Sequence, residues 1–236
     1  MLELADWIDQ RLRARGDPAR AVREKAYLKS TIEHYGVAVP AMRAIAKSVA
    51  KAHPTLDHDE LAGLATELWR TDVYEHKAVT VELLVLHRGL LVAADIELLE
   101  DLLRRSGTWA LVDHLAEKVV GDLVTRYREL DGRLDRWASD DDFWIRRSAL
   151  LALLAPLRAG GGDFAQFGRY ADAMLDEKEF FVRKAIGWVL RETGKKRPDV
   201  VFDWLLPRAA RASGVTTTEA VKPLSAEQRE LIRAAR

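Results

Sequence analysis

Trp109 and Asp113 stand four residues apart in Thr108-Trp109-Ala110-Leu111-Val112-Asp113. On a helix that spacing puts both side chains on one face, about 6 Å from each other. A fixed carboxylate stabilises a neighbouring positive centre and can orient water against it. An indole face attracts cations, by roughly 0.5–2 kcal/mol depending on desolvation. The pair therefore suits a reaction whose transition state gains positive charge. Asp113 also interrupts an apolar stripe of Leu111, Val112, Leu115 and Val119, where an unpaired carboxylate is costly. Pairing with a neighbouring arginine or capping the next helix is its alternative use, and function explains the placement better.

The elements that hold this pair are repeated. Val73-Tyr74-Glu75-His76-Lys77-Ala78, Phe143-Trp144-Ile145-Arg146-Arg147-Ser148 and Phe180-Phe181-Val182-Arg183-Lys184-Ala185 share a register, and the Thr108–Asp113 segment falls 35 residues before Phe143. Self-similarity at this period predicts stacked helical pairs, each burying its apolar face on the next. Equivalent positions then project to one face, so Lys77, Arg147 and Lys184 are expected to form a cationic stripe around Trp109 and Asp113. Apolar residues recur three and four apart in 61–69, 115–124 and 185–190, which predicts helices. Breaks are expected at Gly16-Asp17-Pro18, Tyr35-Gly36, His53-Pro54, Ser106-Gly107, Asp131-Gly132, Gly160-Gly161-Gly162, Arg197-Pro198 and Ser213-Gly214. Ser225-Ala226-Glu227-Gln228 fits a capping box opening the last helix. No composition shift marks a linker, so residues 1–236 read as a single domain.

Composition narrows the chemistry. The 37 basic and 37 acidic residues cancel, so an anionic partner would have to be met by local placement of Lys and Arg. The absence of cysteine removes thiolate catalysis, cysteine-ligated clusters and zinc ribbons. The six histidines show no helical ligand pairing, so neither metal nor cofactor is expected. No apolar run approaches the roughly 20 residues of a membrane span, and the start lacks a signal-peptide pattern. A monomeric, soluble, cytoplasmic protein is the expectation. Trp7, Trp69, Trp137 and Trp204 read as packing residues. On pattern alone Trp109 and Trp188 fit a core as well as a site, and Trp144 and Tyr27 fit packing too.

The chain resembles the AlkD-type DNA alkylation-repair glycosylases, a family of HEAT-like repeats. The strongest match is Lys178 to Glu192, followed by Pro198-Asp199-Val200. Tyr35-Gly36-Val37 with Pro40 and Arg43, Glu67-Leu68-Trp69 and Pro223-Leu224-Ser225 support it in order along nearly the whole chain. The resemblance implies an all-α, C-shaped HEAT-like solenoid with a concave face for duplex DNA. The activity implied is removal of cationic N3- and N7-alkylated purines without base flipping. It places the catalytic aspartate on Asp113, the two tryptophans beside the lesion on Trp109 and Trp188, and a DNA-contacting arginine on Arg147. A tyrosine of the first repeat falls on Tyr27.

That chemistry is self-consistent. Alkylation at N3 or N7 already makes the purine a good leaving group, so what remains is positive charge building on the deoxyribose, as in glycoside hydrolysis. Lys77, Arg147 and Lys184, with Arg183 and the basic run Lys195-Lys196-Arg197, suit phosphates and would position a duplex without reading its sequence. Of the adjacent pair Arg146 and Arg147, one is expected to face solvent. No lysine shows a Schiff-base signature, so strand cleavage is not expected. Two other readings stay open: a glycosylase specialised for bulky adducts in self-protection against an alkylating natural product, and a helical scaffold that binds DNA or protein without chemistry.

Overall fold

Helix follows helix from one end of the chain to the other in the computed structural model, which describes residues 1–236. Extended pairing is confined to an isolated parallel bridge between Glu33 and Val73. The residues gather into two compact units, Met1–Leu115 and Ala116–Arg236, a division that no Pro, Gly or polar run in the sequence marks.

The first unit contains α1 (Leu2–Arg13), α2 (Pro18–Leu28), α3 (Val39–Ala52), α4 (His58–Trp69), α5 (Tyr74–Leu86), α6 (Ile96–Arg104) and α7 (Trp109–Leu115). The second opens on a π-helical turn, Ala116–Val120. It continues through α8 (Gly121–Arg126), α9 (Asp131–Trp137), α10 (Phe143–Ala152), α11 (Leu154–Arg158), α12 (Phe164–Ala173), α13 (Phe180–Gly194), α14 (Pro198–Leu205), α15 (Gly214–Ala220) and α16 (Ala226–Ala234).

Local sequence sets most of these boundaries. Asp17 accepts the backbone N–H groups of Ala19 and Arg20, Pro18 takes the first helical position, and α2 ends on Lys29 in the left-handed region at φ 49°. Capping boxes open α4, from Asp57 and Glu60, and α16, from the expected Ser225 and Gln228. The four segments in repeat register do open helices, at the heads of α5, α7, α10 and α13. Two expectations shift. Asp131-Gly132 lies in the first turn of α9 instead of between helices, and the 115–124 run, helical as expected, is interrupted by a π-helical turn at Ala116–Val120 between α7 and α8.

The core is aliphatic, with Trp69 and Trp137 buried in it as expected for packing residues. Trp7 and Trp204 are only half-buried, each with a guanidinium over its face, Arg11 and Arg208 respectively, both at 4.8 Å. No helix is long and apolar enough to cross a membrane.

Candidate active site

In the first unit, α7 begins at Trp109, so Trp109 and Asp113 share a helical face as their spacing requires. Both are half-buried. The head of α7 is pinned from below: Thr108, itself buried, donates its hydroxyl to the Leu28 carbonyl at 2.8 Å. That carbonyl is one of the unsatisfied acceptors at the end of α2, so the bond ties the two helix ends together. One residue earlier on α2, Tyr27 stands 72% exposed and meets Trp109 edge-on, ring centroids 5.9 Å apart at 74°. The structure thus brings Tyr27, Trp109 and Asp113 to one place, an aromatic pair beside a carboxylate.

Arg23 lies one turn before Tyr27 on the same face of α2 and is exposed with no ion-pair partner. Sequence reading passed over it, although its i,i+4 spacing to Tyr27 was the available signal. Behind α7, a cavity of about 190 Å³ is lined by α3, α5 and α7. In it the Arg43 Nε and Glu82 Oε1 are 2.8 Å apart, with His114 Nδ1 3.8 Å from the same oxygen.

The cations in repeat register are placed differently from the expected stripe. Lys77 is 1% exposed; its Nζ donates to the Arg105 carbonyl at 2.7 Å and to Asp72 at 3.3 Å. Burial pushes its ammonium below the ordinary lysine range, against the weaker opposing pull of Asp72. Within the second unit Arg147 is 3% exposed and donates to the Phe181 carbonyl, with its guanidinium 6.0 Å from that ring. Lys184, half-buried, reaches Glu219 Oε1 at 2.5 Å. Each of the three therefore staples its helix to chain 28 to 35 residues further on. The register is real, but Lys77 and Arg147 face the packed side; the Arg105 carbonyl that Lys77 meets caps the end of α6 and needs a donor, whereas the Phe181 carbonyl that Arg147 meets lies in the first turn of α13.

Neither member of the Arg146–Arg147 pair is a solvated side chain. Arg146 donates to the Asp140 carbonyl at 2.6 Å and pairs with Glu177 at 2.6 Å, while Arg183 donates its Nε to the Glu177 carbonyl. These bonds hold the loops that lead into α10 and α13. Trp188 is half-buried on α13. Its neighbour Gly187 lets α15 approach closely: a Cβ there would lie 2.8 Å from the Thr216 carbonyl oxygen and from the Glu219 Cβ. Glu219 then anchors α15 to α13 through Lys184 and Arg191, with Lys222 at 2.9 Å from the same carboxylate. Burial works against its charge, but these cations outweigh it and hold the carboxyl down at about 2.

An all-helical repeat protein with a carboxylate and an aromatic pair at the head of one repeat helix is the class this geometry defines. The model of the DNA alkylation repair enzyme family matches residues 8–224, and the chain belongs to that family. Among solved structures it is similar to a predicted DNA alkylation repair enzyme from Enterococcus faecalis, with 21% identity and a TM-score of 0.81 over 90% of this chain and 98% of that one. It is also similar to AlkD2 from Streptococcus mutans, at 20% identity and TM-score 0.61, covering 87% of this chain and 98% of that one. The smu.31 protein of Streptococcus mutans UA159 shares 17% identity and a TM-score of 0.63 over 94% and 100% of the respective chains. No curated protein matches it. Family membership gives the chain a role in repair of alkylation damage to DNA.

Proposed function

We propose that this protein is a DNA glycosylase that excises cationic N3- and N7-alkylated purines from duplex DNA by hydrolysing the N-glycosidic bond, as the first step of base excision repair. The observation that carries the proposal is the meeting of Tyr27 and Trp109 one helical turn from Asp113, in a member of an alkylation-repair family. As the C1′–N bond breaks, its electron pair leaves with the purine, which departs neutral because it was already cationic. Positive charge then builds on the deoxyribose. Asp113 stabilises that charge, and Trp109 strengthens the effect through its ring face. Water adds at C1′, guided by Asp113, and its proton passes to solvent. These interactions grow with the charge, which is what lowers a barrier.

Tyr27 is open to solvent, which favours a site that grips the sugar and leaves the base outside the protein, so bulky adducts should be accepted. Arg23 and the half-exposed Lys184 are assigned to phosphates, while Lys77 and Arg147 act through the fold. Trp188 is assigned a cation-favouring role of its own. The direct test is to incubate the protein with duplexes carrying N7-methylguanine, a bulky N7 adduct or uracil and count abasic sites. Excision of both cationic purines with uracil untouched is expected. Duplex binding without any abasic sites would establish the scaffold reading instead.

A further inference from the structure

Besides the Trp109–Asp113 pair, the first unit contains a polar cluster that repair chemistry leaves unused. Glu24 on α2, His34 in the loop before α3 and Glu75 on α5 bring one donor atom each within 4.8 Å of one another. Glu75 is fully buried, and its carboxylate accepts the backbone N–H groups of Tyr35, Gly36 and Val37 at 2.9, 2.7 and 3.1 Å. Those bonds fold the loop back over α5. Gly36 makes the turn possible, with φ +82° and a Cβ position only 2.1 Å from the Asp17 carbonyl oxygen.

His34 is 9% exposed and stacks on Tyr74 with ring centroids 4.6 Å apart, yet both its ring nitrogens are buried without a hydrogen-bond partner. The Glu24 Oε2 is buried and unpartnered as well, while its Oε1 takes Arg20 at 2.6 Å. Leaving such atoms unmade costs about 1–3 kcal/mol each, and native folds rarely tolerate several together. The charge is also unbalanced: Glu24 and Glu75 carry two negative charges, and Arg20 is the one guanidinium paired with either. Burial holds the His34 pKa below the ordinary histidine value.

We propose that Glu24, His34 and Glu75 bind a divalent first-row transition ion of the zinc class, one imidazole nitrogen and two carboxylate oxygens leaving a position for water. Three such ligands with one open place are a common zinc arrangement, with metal–donor distances of about 2.0–2.2 Å. Donors around such an ion sit roughly 3.4 Å apart, so side chains now within 4.8 Å of one another would draw together on it. The ion would supply the missing positive charge and join α2, the 30–37 loop and α5. Tyr27 lies three residues beyond Glu24 on α2, so the site would steady the helix that presents it.

The test uses untagged full-length protein, stripped with chelator and then titrated with Zn²⁺ by calorimetry and with Co²⁺ by visible absorption. One equivalent of saturable Zn²⁺ and Co²⁺ d–d bands are expected, with a rise in Tm. Loss of even an outer-shell partner weakens a metal site about 10–100-fold, so Glu24→Gln and His34→Gln should each weaken binding at least about tenfold. Glu75→Gln is avoided because that carboxylate holds the loop. His58, which is bonded to Asp59 and Asp95 elsewhere in the unit, provides the control, and His58→Asn should bind normally. Should either tested variant fail to fold by circular dichroism, the other decides. No saturable binding by the wild type, or binding that survives in the folded variants, overturns the proposal.

Discussion

Replacing Glu219 by Gln removes the anion that fastens α15 to the helix bearing Trp188. Its carboxyl lies at about 2 in the folded chain against 4.5 for an ordinary glutamate. At about 1.4 kcal/mol per tenfold, that gap corresponds to about 3 kcal/mol. Lys184 and Lys222 are 41% and 49% exposed, and solvent screening of these partners brings the expected loss to about 2 kcal/mol. Because the folded value is the lower one, the stabilisation is complete well above 4.5 and disappears as pH falls towards 2. The stability difference between wild type and Glu219→Gln should therefore be about 2 kcal/mol at neutral pH and about 1 kcal/mol near pH 3.5. Urea denaturation of both proteins at the two pH values measures it. A difference that stays constant with pH, or one below about 0.5 kcal/mol at neutral pH, would refute the electrostatic reasoning. Excision should fall together with stability, since the helix that carries Trp188 loses its brace.

Asp113→Asn should lower single-turnover excision of N7-methylguanine by about 10²–10³-fold while duplex affinity in a gel-shift assay stays within about twofold; matched losses would make Asp113 a structural residue. Arg23→Ala should weaken binding to damaged and undamaged duplex alike and reduce the salt slope by about one. Lys77→Met should instead lower the urea midpoint and leave that slope unchanged, and a flattened slope would return Lys77 to the phosphate contacts. Gly187→Ala places a Cβ 2.8 Å from the Thr216 carbonyl oxygen, and the overpacking should cost about 1–3 kcal/mol; a neutral melting shift would show that α15 is free to move.

Much of the architecture was legible because it is local. Helix heads at Tyr74, Trp109, Phe143 and Phe180 follow from a repeat register visible by eye, and the Ser225 cap from four adjacent residues. The pairing of Trp109 with Asp113 is equally local, since i,i+4 neighbours share a face wherever the helix lies. The boundary between the units escaped notice for the opposite reason. It falls between Leu115 and Ala116, inside an apolar run where no turn residue signals a change of partner.

Residue order alone thus determined that the chain is helical, where its repeats begin and which side chains share a turn with Asp113, because those properties depend on neighbours a few positions away. Packing decided the rest. Periodicity gives the phase of a side chain within its own helix and says nothing about what that side will meet, so Lys77 and Arg147 could be aligned from sequence yet turn inward onto carbonyls 28 and 34 residues away. The same holds for Tyr27 against Trp109, and for Glu24, His34 and Glu75, whose side chains come within 4.8 Å of one another only after three separate elements have closed together.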